Sequence, residues 1–263
     1  QASGLTIDGT AAGASIRVVD AVAATATDLQ NFSGSDVTIV YGAAGTIASS
    51  VVQLDGADIE YSAASGAVDL VLTAAQADGR TLLGTGDFQV NGSDEAQTIR
   101  VAGTGNNEIN TGSGADTVIL TTTSGNQVVN VASGNSANVI TATGAADSYT
   151  INITGTLGFT QINASGSTQD LTVNAGTKND VITGGSGNDT IYLGTGSDAV
   201  TGGAGNDTIY LGADSVSDQV TFASTAAGNG LDTIHDFVGT EGGDILDFSS
   251  MTLSGTGLGL NGD

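Results

Sequence analysis

From residue 177 the chain divides without gaps into nonamers: TKNDVITGG (177–185), SGNDTIYLG (186–194), TGSDAVTGG (195–203) and AGNDTIYLG (204–212). In each, an Asp is followed two places later by a branched aliphatic residue, giving Asp180/Ile182, Asp189/Ile191, Asp198/Val200 and Asp207/Ile209. Repetition at a fixed short period implies units that bury their apolar face only against their neighbours, and hence a stack. A second period overlies the first. The first and third nonamers end in Thr-Gly-Gly, whereas the second and fourth share NDTIYLG. The structural unit is therefore a coil of eighteen residues with two unequal halves, each half a turn followed by a short strand. Alternation within each strand puts Ile or Val inward and its neighbours outward. Tyr192 and Tyr210, like Thr183 and Thr201, are expected one coil apart on a common face.

This register makes a prediction about charge. Turns on one side of such a coil are eighteen residues apart in sequence and adjacent in space, so Asp189 should face Asp207 and Asp180 should face Asp198. Stacked carboxylates repel and call for a cation between them. Tight Gly turns expose backbone carbonyls, and a site of carboxylate and carbonyl oxygens suits Ca²⁺. Zinc would want His or Cys, of which there are one and none.

Composition agrees. Of 28 acidic residues 24 are Asp, against 4 basic residues, for a net charge of −24. A solvated helical surface would favour Glu and Lys, whereas Asp beside Gly belongs to turns and to hard-cation ligation. Such self-repulsion opposes compaction until cations neutralise it, and it disfavours nucleic acid and direct membrane insertion. Without Cys there is no disulfide framework. The 41 Gly come without any Pro, which excludes collagen. Catalytic constellations are missing: His235 is the lone histidine, and there is no H-E-x-x-H, nucleophile elbow or phosphate loop. The expectation is a non-enzymatic chain.

GGSGNDTIY (184–192) and GGAGNDTIY (202–210) resemble the RTX nonapeptide G-G-x-G-x-D-x-U-x. In that family the repeat folds as a parallel β-roll loaded with several calcium ions. Lys178 and Leu193 depart from the Gly positions of the motif. The resemblance implies that carbonyls of Gly184, Ser186, Gly203 and Gly205 join Asp189 and Asp207, while Thr177, Gly194 and Gly196 join Asp180 and Asp198. The segment GLDTIHDFVGTEGGDILDFSS (230–250) is similar to the stretch that follows the roll in many members. There Asp232 and Asp236 would close a last calcium site, and Asp214 and Asp218 would accept one beside Asp198; a structural cap without metal is the alternative for these four. Ile234, Phe237, Ile245, Leu246 and Phe248 would cover the open end of the roll.

Fainter copies precede the roll. AGTGNNEIN (102–110) and TGSGADTVI (111–119) keep the pattern, whereas SGNSANVIT (133–141) and ATGAADSYT (142–150) keep mainly an inward residue, at Ile140 and Tyr149. Asp116 and Asp147 are further candidate ligands. Residues 1–98 show Val, Ile and Thr runs between turn residues, with one short helix in LTAAQADG (72–79). The expected fold is an all-β parallel β-roll or β-helix solenoid with calcium between coils, preceded by a strand-rich segment. Its expected divisions are 1–98, degenerate coils 99–174, the calcium roll 175–218 and a cap 219–263. The chain opens at Gln1 rather than Met and is expected to be a piece of a longer protein. The expected role is a bacterial cell-surface component of the S-layer type, exported by type I secretion and assembling with itself, with cell-surface polysaccharide as a further partner. A large adhesin, or the tail of a secreted protease or lipase, are the alternatives.

Overall fold

The structure is a computed structural model. It describes the backbones of strands Thr6–Asp8, Ile16–Ala21, Asp28–Gln30, Val37–Tyr41, Gly45–Thr46 and Asp58–Tyr61, and residues 70–132, 137–155, 158–223 and 228–251. Among the described residues, successive strands go alternately to two sheets, one of 12 strands running from Ile16–Ala21 to Ile245–Asp247 and one of 10 running from Gly45–Thr46 to Thr233–His235. Neighbouring strands in both are parallel, with equivalent residues in register, as in the pairs Ile182↔Val200 and Ile191↔Ile209. The chain is thus an all-β parallel solenoid. A separate parallel pair joins Thr6–Asp8 to Asp28–Gln30.

The core is two facing columns of aliphatic side chains. Ile99, Val118, Ile140, Ile162, Ile182, Val200 and Val220 stack along the first sheet. Val90, Ile109, Val129, Ile151, Val173, Ile191 and Ile209 stack along the second. None is more than 2% exposed. Branched residues suit this position because they pack well against neighbours on a pleated surface, and each contributes about 1.5–3 kcal/mol by leaving water. The narrowness of the space suits a chain in which only 4% of residues are aromatic.

Both sheets cross the expected boundaries at 98, 174 and 218 without a break. The short helix is Ala74–Ala77, entered from strand Leu70–Thr73, with the Thr73 N–H donating to Gln76 Oε1 at 2.8 Å. After the roll, strands Thr233–His235 and Ile245–Asp247 add a further rung to each sheet. Ile234 and Leu246 pack on the core, joined by Phe222. Phe237 and Ile245, expected to cover the end, instead face outward at 43% and 51% exposure: Ile245 is the strand neighbour of the inward Leu246, and Phe237 lies past the end of strand Thr233–His235. Phe248 stacks on Phe222 with ring centroids 4.6 Å apart. Residues 252–263 of the expected cap lie outside the described residues. No described helix is long and apolar enough to cross a membrane.

Candidate metal centre

The position where each turn passes into its strand forms a column along each edge of the solenoid: the first residues of the strand in most of the earlier coils, the residue just before it in the roll. On one edge the register aligns Phe88, Asn107, Gln127, Tyr149 and Leu171, and then Asp189, Asp207 and Asp232. On the other it aligns Gln97, Asp116, Asn138 and Thr160, and then Asp180, Asp198, Asp218 and Asp244. The two facing pairs expected from the eighteen-residue period, Asp189 with Asp207 and Asp180 with Asp198, are therefore neighbours in these columns.

One oxygen of each carboxylate serves the backbone of the preceding coil. Asp207 Oδ1 accepts from the Asp189 N–H at 2.9 Å, Asp189 Oδ1 from Leu171 at 2.9 Å, Asp198 Oδ1 from Asp180 at 2.6 Å and Asp180 Oδ1 from Thr160 at 2.6 Å. Asp218, Asp232 and Asp244 continue the pattern toward Asp198, Asp207 and Asp218 at 2.8, 3.0 and 3.0 Å. The other oxygen has a different fate. Asp189 Oδ2 accepts from the Gly185 N–H at 2.9 Å, but Oδ2 of Asp180, Asp198 and Asp207 is buried with no hydrogen-bond partner.

Orphaned carboxylate oxygens in the interior are expensive. Burial pushes the carboxyls of Asp198 and Asp207 up to about 7 and those of Asp180, Asp189 and Asp218 up to about 6, outweighing the main-chain donors that pull them down. Asp232 is raised for the same reason.

The glycines of the turns shape the space around these oxygens. A Cβ on Gly184 would collide with Asp189 Oδ2 and the Gly202 carbonyl, and one on Gly202 with Asp207 Oδ2. Stacked turns are tied by Ala204 N–H to the Gly185 carbonyl at 2.9 Å and by Thr195 N–H to the Gly176 carbonyl at 3.0 Å. That ladder does not use the carbonyls of Gly184, Ser186, Gly203 and Gly205 on one edge or of Thr177, Gly194 and Gly196 on the other. Orphaned carboxylate oxygens beside such carbonyls form an all-oxygen donor set, which fits calcium. Bound there, calcium would supply the positive charge that the columns lack.

The remaining expected ligands divide. Asp218 is buried in the column beyond Asp198. Asp214 reaches the same turn, its Oδ2 accepting from the Gly196 N–H at 2.9 Å. Asp232 ends the other column. Asp236 does not join it: it follows strand Thr233–His235 at the far end from Asp232, exposed and with φ of 63°. Its turn leads instead to Asp244, which closes the second column and which the sequence reading passed over. Asp147 is exposed and accepts from the Gly125 N–H at 3.1 Å, outside both columns.

A pH dependence follows. These carboxyls have folded-state values above the ordinary Asp value, so ion-free folding is favoured below that value and loses stability as pH rises toward 6 and 7. Calcium-depleted protein is expected to show a higher urea midpoint at pH 5 than at pH 8. Saturating calcium should flatten or reverse that trend. A calcium-free midpoint that rises with pH would contradict the arrangement.

Comparison with protein families matches the RTX calcium-binding nonapeptide repeat (4 copies) over residues 101–120, 172–200 and 183–215. No curated protein and no solved structure gives a match.

Proposed function

We propose that this chain, which carries RTX calcium-binding nonapeptide repeats and through them binds several calcium ions, is a non-enzymatic structural segment of a bacterial cell-surface protein. In this reading it is exported by a type I system and assembles in the manner of an S-layer. The observation that supports it most is the division of labour across the solenoid. Acidic groups concentrate in the turn columns, whereas the outward faces of both sheets are built mostly from neutral residues. Along the second sheet one outward row is Asn91, Asn110, Asn130, Asn152 and Asn174. It passes into Tyr192, Tyr210 and His235. Amides join Asn130 to Asn110, Asn152 to Asn130 and Asn174 to Asn152 at 2.8–2.9 Å, and the three rings stack at 4.6 and 4.5 Å. A rod stiffened at its edges by calcium, with flat and largely uncharged faces, is suited to lateral packing of like copies.

Export and folding would share one switch. With little free calcium the acidic repeats repel and stay unfolded; outside the cell, millimolar calcium binds sites absent from the unfolded chain, so binding free energy becomes folding free energy. Electron microscopy of purified protein is the test. Two-dimensional ordered sheets should appear with calcium and disappear with chelator. Particles that stay monomeric at high calcium would sink the S-layer reading.

A further inference from the structure

The columns extend beyond the matched repeats, and one boundary in the earlier coils has the character of the roll. Gln97 precedes Asp116 by one coil and donates its backbone N–H to Asp116 Oδ1 at 3.0 Å. Both residues are buried, at 5% and 1% exposure; neither Gln97 Oε1 nor Asp116 Oδ2 has a hydrogen-bond partner of normal geometry, the buried Thr111 hydroxyl being the side chain that comes near the Asp116 carboxylate. Gln97 Nε2 is held elsewhere, on Ser93 Oγ at 2.8 Å and the Glu95 carbonyl.

The backbone around them repeats the geometry of the roll. Ser113 N–H donates to the Ser93 carbonyl at 3.0 Å, as Ala204 does to Gly185 at 2.9 Å. A Cβ on Gly112 or Gly114 would collide with the carbonyls of Ser93 and Glu95, as one on Gly203 or Gly205 would with those of Gly185 and Gly187. The lower turn, GSDEAQ (92–97), has no G-G-x-G-x-D motif and lies outside every matched repeat. It also brings Asp94, whose Oδ1 accepts from Ser113 Oγ at 2.5 Å.

The opposite edge at this level behaves differently. There Asn107 Nδ2 donates to Gln127 Oε1 at 2.8 Å, and Gln127 Nε2 to the Gly105 carbonyl at 2.9 Å, so the amides satisfy one another.

We propose that the Gln97–Asp116 boundary holds a separate calcium ion, with Asp116 Oδ2 and Gln97 Oε1 among its donors. The Asp78 carboxylate of the coil before, which accepts from the Thr98 N–H at 2.7 Å, adds to the negative charge there. The inference rests on the calcium reading of the roll, and the test separates the two. Asp116→Asn keeps the Oδ1 acceptor, a role that Asn138 and Asn107 already fill in the same columns at 2.9 and 3.0 Å, and removes the charge. Equilibrium dialysis of the full chain against radioactive calcium should find one ion fewer in the variant. Hydrogen exchange should show calcium protecting residues 93–117 in the wild type and not in the variant, while 180–210 responds to calcium in both. An unchanged calcium count in Asp116→Asn overturns the site. So does exchange at 93–117 that ignores calcium in a wild type whose 180–210 segment responds. Loss of the calcium response at 180–210 as well would instead overturn the reading of the roll.

Discussion

Removing calcium from the full chain at neutral pH is expected to unfold the coils around 177–221 and leave those of 126–174 folded. Five carboxylates, Asp180, Asp189, Asp198, Asp207 and Asp218, are buried to 2% exposure or less within that roll. An uncompensated buried charge costs several kcal/mol, and a whole domain's stability is about 5–15 kcal/mol. Five together exceed what the aliphatic columns of two or three coils can offset, even if some take up protons. In coils 126–174 the same column positions hold Gln127, Tyr149, Leu171, Asn138 and Thr160, which are neutral. The aliphatic columns continue there undiminished. Nearest-neighbour stability in a stacked array lets one stretch melt without the rest. Circular dichroism should therefore lose part of its β signal in chelator. Exchange protection should fall by orders of magnitude at 180–221 and little at 126–174, with recovery on adding calcium. Unchanged protection at 180–221 would remove the basis of the calcium mechanism, and all-or-none melting of the chain would show the coils to be coupled more tightly than nearest-neighbour stacking allows.

The same contrast explains what could be read in the sequence. Asp180, Asp189, Asp198 and Asp207 were legible because a carboxylate pair facing across one coil fixes both residue type and an interval of eighteen. Tyr192 above Tyr210 followed from that interval. Elsewhere the column asks only for a group that closes the turn, so Phe88, Asn107, Gln127, Tyr149 and Leu171 leave no shared letter. The interval also drifts, to 19 residues from Gln97 to Asp116, 22 from Asp116 to Asn138 and 26 from Asp218 to Asp244. Longer turns supply the difference, and a nonamer frame slides off register within one coil. Tyr149 shows the consequence. It points into the core as the nonamer frame has it, buried at 1% exposure, but the register sets it level with Leu171, and Ile151 is the residue level with Val129 and Val173. Asp244 was hidden in the same way, behind the long turn after His235. Gln97 was hidden by its type, since an amide in GSDEAQ carries no ligand signature until its neighbour is known to be Asp116.

Gly203→Ala is expected to do more damage than loss of any one outward side chain. Gly203 has φ of +112°, and a Cβ there would run into the Gly185 carbonyl of the coil before it. The left-handed backbone alone costs an alanine about 1–2 kcal/mol. The collision adds more, because its partner is main chain, held by the Ala204 N–H at 2.9 Å. Separating the two turns to make room would also part Asp207 from Asp189, so the substitution acts on backbone and site together. A total above about 3 kcal/mol is expected, read as a several-fold rise in the calcium concentration that half-folds the roll. Gly242→Ala is the matched control. Gly242 has φ of +82° but nothing within 4 Å of its Cβ position, and it lies on the exposed turn after the roll. It shares the dihedral cost and lacks the collision, so its calcium midpoint should shift clearly less than that of Gly203→Ala. Equal shifts for both variants would mean that backbone strain, and not the close stacking of turns around the carboxylates, sets the calcium dependence of folding.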